Sequence, residues 1–214
     1  MTPSSSLRDK ILADAAANRA RTRSQGRRRA ALVYAIAALA GLPLFFFWGG
    51  LGHASGRPFR ITIGVGLGAL LLAVACAAVA FWRGKSAVGR PSTALLSVAI
   101  VAPIATYAWL VSWHTRYVDP FARVGYRCLT MTLVAGATVL GAALFLRKRS
   151  IAVHASAAGA ALGAAAGTFG GVTVDVWCPL STSSHVLVGH VLPLVILSAA
   201  GAILGRMVLP IRGR

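Results

Sequence analysis

The sequence predicts an all-α, polytopic membrane protein: a bundle of six transmembrane helices behind a short cytoplasmic N-terminal tail. Three observations carry that expectation. Apolar residues make up 57% of the 214-residue chain and charged residues only 12%, where a soluble domain carries about a quarter charged. Several apolar runs reach the roughly 20 residues that a helix needs to cross a bilayer. The 22 Lys and Arg residues, source of a net charge of +18, fall almost entirely between those runs, as topogenic charges do. No basic surface interleaved with aromatics is present, so the charge is read as positive-inside signal and contact with anionic lipid headgroups, not direct nucleic-acid binding.

Taken in order, residues 1–29 form the polar tail and residues 30–214 the transmembrane domain. In the tail Ser6 and Asp9 have the spacing of a capping box, opening a helix from Leu7 to about Arg23. Leu7, Ile11, Leu12 and Ala15 fall on one face of it, with Arg8, Asp9, Lys10 and Asp14 around them. That stripe is too narrow for an independent fold and suits a docking helix that orders on a partner, with Leu7, Arg8, Ile11 and Leu12 as its contact residues. The tail closes on the topogenic cluster Arg27-Arg28-Arg29. The first apolar run begins near Ala30 and is long enough to span, so it is read as a span and not as a cleaved signal.

Six spans are expected at about 30–50, 60–82, 92–113, 125–146, 151–172 and 186–209. Trp48, Trp82, Trp109, Trp113 and Trp177 fall near span ends, the place of interfacial aromatics. Pro43, Pro103 and Pro193 lie inside spans and predict kinks. On one side the basic residues are Arg57, Arg60, Arg116, Arg123 and Arg127; all the others lie on the opposite side. Both termini are therefore expected in the cytoplasm.

The fifth span carries a glycine ladder, Gly159, Gly163, Gly167 and Gly171. Residues four apart share a helix face, and a small-xxx-small face lets a second helix approach closely in lipid. Gly64, Gly68, Gly136 and Gly141 are candidate partners for it in other spans. After the ladder a short polar loop is expected from Asp175 to His185, holding Cys178 and Pro179.

On the expected topology Cys128 and Cys178 share the outer face, while Cys76 lies deep in the second span and is read as a packing residue. The outer pair admits several readings: a structural disulfide, two free thiols, a redox pair, or soft ligands for a thiophilic metal. His185 and His190, with His114 and Asp175, stand on the same side and supply further candidate ligands beside Cys128 and Cys178. Enzymatic chemistry is not expected. The four carboxylates, Asp9, Asp14, Asp119 and Asp175, all fall outside the expected spans and form no acid–base pair. A membrane thiol–disulfide oxidoreductase and a small transporter working through His154 or His190 are the competing classes.

These residues resemble the NrsF-like membrane anti-sigma factors, negative regulators of extracytoplasmic-function sigma factors in bacteria. The resemblance rests on the tail segment Leu7-Arg8-Asp9-Lys10-Ile11-Leu12, on six spans in about 210 residues and on Arg127-Cys128-Leu129. It rests also on the Gly/Ala-rich span leading into Cys178-Pro179, followed by His190-Val-Leu-Pro193 and Gly205-Arg206. It implies a protein of the bacterial inner membrane that holds a sigma factor inactive from the cytoplasmic side. It implies further that Cys128 and Cys178 matter for release under metal or oxidative stress. No resident cofactor is expected, a thiophilic metal at that pair acting as a signal. Where the resemblance leads one to expect an acidic residue after Cys178-Pro179, this chain has Leu180-Ser181-Thr182.

Overall fold

The computed structural model describes residues 57–81, 91–114, 123–147 and 152–209, with Asp9, Ala13 and Leu39 as isolated positions. The expected first span and the contact residues Leu7, Arg8, Ile11 and Leu12 lie outside the described residues. The chain divides into two units, Met1–Ile36 and Ala37–Arg214, and the elements named below all belong to the second.

Every element among the described residues is helical: α1 (Phe59–Phe81), α2 (Ser92–Ser112), α3 (Tyr126–Arg147), α4 (Ala155–Trp177) and α5 (Ser183–Val208). All five are long and apolar enough to cross a membrane. The helix α5 is composite, with a π-helical turn at Leu187–Val191 between α-helical Ser183–Val186 and Leu192–Val208.

At the centre stands α4, in contact with each of the other four helices. Its most apolar stretch is 83% buried, against 28% for α1 and 33% for α2. Its sequence explains the position, because Ala and Gly present so little side chain that neighbours settle on it from every direction. Gly159 and Gly163 meet the backbone of α5 at Gly201 and Leu197, and Gly167 meets Leu194. A Cβ on Gly201 would in turn strike the Gly159 carbonyl. Gly171 takes no part in this crossing, since a Cβ there would approach only Asp175. On another side Gly170 lies against Gly136 and Thr132 of α3, whereas Gly141 faces open space. Gly64 and Gly68 instead form recesses filled by Trp113, just past the end of α2, and Trp109 of α2, whose rings stand edge to face at 5.4 Å. Trp177 is buried and lies under the Arg127 guanidinium at 5.1 Å, so these three aromatics pack on protein as well as marking helix ends.

The end of α4 differs from the expectation. The helix runs to Trp177, and Asp175 lies within its last turn instead of in a polar loop. Arg57 accounts for the extension. Its guanidinium is buried and donates to the carbonyl of Asp175 at 2.6 Å and to that of Val176 at 3.4 Å. A helix C-terminus leaves its last carbonyls without intrahelical partners, and a cation there also meets the favourable end of the helix dipole. The stop comes from Pro179, which drives the residue before it out of helical geometry; Cys178 is accordingly extended, with φ −77° and ψ 121°.

A buried thiol and imidazole cluster

Three chain segments meet at the end of the bundle where α3 begins, α4 ends and α5 begins. Gly125 makes the approach possible. It adopts φ +93°, a conformation costly for residues with a Cβ. A Cβ at Gly125 would also lie 2.8 Å from the His185 carbonyl and 3.0 Å from the Gly189 nitrogen. Gly189 is reciprocal, since a Cβ there would lie 3.0 Å from that of Cys128. Two glycines thus let the entry to α3 lie directly on the π turn of α5, with Cys128 in the first helical turn beyond.

The π turn sets the histidines. At 3.6 residues per turn, positions five apart on an α-helix point about 140° away from each other. A turn closed by i→i+5 hydrogen bonds widens the helix and brings such positions onto one side. The Leu192 N–H donates to the Leu187 carbonyl in this pattern, and the rings of His185 and His190 stand 5.5 Å apart. Pro193 favours the opening, because it lacks the N–H that would bond to Gly189 and its ring crowds that carbonyl.

Cys128, Cys178, His185 and His190 are all buried, and one ligand atom from each lies within 4.8 Å of all the others. The His185 Nε2 is 3.1 Å from the Cys178 sulfur and 3.6 Å from that of Cys128. Its Nδ1 is 2.8 Å from the Arg123 carbonyl. A carbonyl only accepts, so Nδ1 donates its proton there, and Nε2 is the ring atom turned to the sulfurs. His190 repeats the arrangement, with Nδ1 at 2.6 Å from an Asp175 carboxylate oxygen and a buried Nε2 that makes no hydrogen bond. Both sulfurs are free thiols. Cys178, in the loop between α4 and α5, is held well below the usual thiol range chiefly by the Cys128 thiol, against the opposing effect of burial. Beside the cluster a cavity of about 420 Å3, walled by Val124, Tyr126, Trp177 and Leu180, reaches both cysteines and His185.

The structure therefore brings together the four candidate metal ligands and leaves out the others on that side. His114 is exposed and stands apart from the cluster. Asp175 joins as the partner of His190. Cys76 is buried in α1 beside Thr168 of α4. His154 lies at the N-terminus of α4 with Arg206 nearby, far along the bundle from the thiols. Sequence reasoning missed the Asp175–His190 pair and the role of Arg57. A carboxylate at the end of an apolar run is itself a signal for the first, because buried acids require partners; for Arg57 no comparable signal exists.

Compared with known proteins, residues 13–210 match the family model described as NrsF, negative regulator of sigma F. No curated protein and no solved structure matches the chain.

Proposed function

Because the chain belongs to the NrsF family of negative regulators of sigma F, we propose that it holds a sigma factor inactive at the bacterial inner membrane and releases it when the Cys128–Cys178 thiol pair changes state. The carrying observation is the meeting of two cysteines 50 positions apart in sequence, buried together against one imidazole at 3.6 and 3.1 Å. Charge distribution supports an outer position for this cluster and a cytoplasmic one for both termini. The tail, through Leu7, Arg8, Ile11 and Leu12, or the cytoplasmic loops would then hold the sigma factor. Ten-fold release requires only about 1.4 kcal/mol of difference between two states, well within reach of a thiol's oxidation or ligation.

A thiol–disulfide oxidoreductase needs an accessible attacking thiolate. Cys178 has the lowered pKa but is only 3% exposed and enclosed by partners, which favours a held switch over turnover. The deciding measurement is sigma-dependent transcription in the host. Deletion of the gene raises it, Cys128→Ser and Cys178→Ser change its response to inducer, and Cys76→Ser responds as wild type. Equal responses from all three substitutions would remove the thiol pair from the mechanism, and an unchanged transcriptome after deletion would remove the regulator itself. Alkylation by a membrane-impermeant thiol reagent of an exposed cysteine placed beside the cluster, Val124→Cys, tests the orientation.

A further inference from the structure

We propose that Cys128, Cys178, His185 and His190 form a closed, four-coordinate site for a borderline divalent metal ion of the Zn2+ class. This deepens the reading of the thiol pair and uses the same residues, but adds two histidine ligands, an outer carboxylate and a resident ion.

The donor set is the first argument. Two thiols and two imidazoles are a familiar tetrahedral set for Zn2+, and four protein ligands leave no open position for catalysis. Distance is the second. With Zn–S near 2.3 Å and Zn–N near 2.0 Å, tetrahedral ligand atoms stand about 3.3–3.8 Å apart. The two sulfur–nitrogen distances of 3.1 and 3.6 Å are already in or near that range, and the widest separation in the set, within 4.8 Å, closes by about 1 Å. Proton inventory is the third. Each histidine is fixed by an acceptor at Nδ1, the Arg123 carbonyl for one and the Asp175 carboxylate for the other. Metal-bound histidines are held in this manner, and the outer acceptor raises the basicity of the ligand nitrogen. The buried Nε2 of His190 has no hydrogen bond, and a buried polar group without a partner disfavours the folded state. A metal ion supplies the missing partner. Binding replaces the thiol protons by metal–sulfur bonds, releases them to solvent and changes no oxidation state.

Arg57 and Asp175 extend the site. The carboxylate of Asp175 orients His190 while its backbone carbonyl accepts from Arg57, so the end of α4 is fixed on the same residue that fixes the ligand. Asp175 is a positioning residue, and its loss should weaken metal binding by about 10–100-fold without removing a ligand.

The test uses the full chain, purified in detergent with reductant. Zn2+ content is measured by elemental analysis, and Co2+ serves as the spectroscopic probe. The expected result is about one Zn2+ per chain and, with Co2+, the sulfur-to-metal charge-transfer and strong visible bands of a tetrahedral thiolate site. Cys178→Ser and His190→Gln lose these bands, Asp175→Asn keeps them at 10–100-fold lower affinity, and Cys76→Ser matches wild type. The wild-type chain's own Tm, raised by Zn2+ through mass action and lowered by a chelator, makes the test independent of whether any variant folds. Reduced wild-type chain that takes up no more metal than Cys178→Ser, or an octahedral Co2+ spectrum, overturns the site. If metal is absent while Cys128→Ser still alters induction, the metal centre falls and the thiol switch stands. Should metal bind while the cysteine variants induce normally, the centre stands and the switch falls.

Discussion

Gly125 and Arg57 act on the cluster without belonging to it. Replacing Gly125 by Ala forces a Cβ into a left-handed backbone and against two backbone atoms at 2.8 and 3.0 Å. The expected cost is about 1–3 kcal/mol, measured as a drop in Tm, and Cys128 should withdraw from His185 as the entry to α3 lifts away. Arg57→Ala removes charged hydrogen bonds to two terminal carbonyls of α4, a loss on the order of 2–3 kcal/mol. Arg57→Lys should recover only part of it, since an ammonium lacks the planar fork; recovery to the wild-type Tm would show that charge alone matters. The sequence revealed the four ligand residues as types on one side of the bundle. Their assembly was hidden, because it depends on Pro179 turning Cys178 out of the helix and on two glycines closing a gap between segments more than 60 positions apart. Arg57 was legible only as charge, since a topogenic arginine and a helix-capping one look identical in the chain.

At the level of elements, the α4–α5 crossing and the π turn divide the work. Gly163 rests on the backbone of Leu197 and Ser198, so Gly163→Ala overpacks the crossing and should destabilise the bundle by about 1–3 kcal/mol. Gly141→Ala, which faces open space, should stay within about 0.5 kcal/mol. Equal losses at the two positions, read by unfolding in detergent, would mean that the crossing is not set by backbone contact. The π turn makes a separate prediction. Pro193→Ala restores a donor for Gly189 and permits an unbroken α-helix, which would swing His190 away from His185. Metal affinity should fall on the order of tenfold although no ligand changes, and unaltered affinity would mean that Gly125 and Gly189 hold the turn open by themselves. The glycine spacing foretold that a helix would lie on α4. It did not name α5 as that helix, because Gly201 and Gly205 stand four apart just as Gly64 and Gly68 do.

Across the whole molecule, α5 is the element that reaches from the cluster to the far end of the bundle. Its 26 residues span roughly 39 Å at helical rise, with His185 beside the thiols near one end and Arg206 near the other, at a cavity of about 490 Å3 that it shares with Ser92 and His154. Because α5 lies on α4 through backbone at Gly159, Gly163 and Gly201, a shift at the cluster cannot be absorbed by side chains along the way. It must slide or tilt the crossing, and packed interfaces of this kind switch between discrete arrangements more readily than they deform. If the sigma factor is held at the end opposite the thiols, the crossing carries the signal, and disturbing it should imitate the inducer. Gly201→Ala is the substitution to make, since its Cβ would strike the Gly159 carbonyl in the half of α5 remote from the cluster. Sigma-dependent transcription should rise without inducer, about ten-fold for 1.4 kcal/mol of lost preference for the holding state, while the metal content and thiol reactivity of the purified protein remain those of wild type. Full repression by a Gly201→Ala chain that is present in the membrane at normal level, with its Tm lowered, would show that the crossing supports the bundle but transmits nothing.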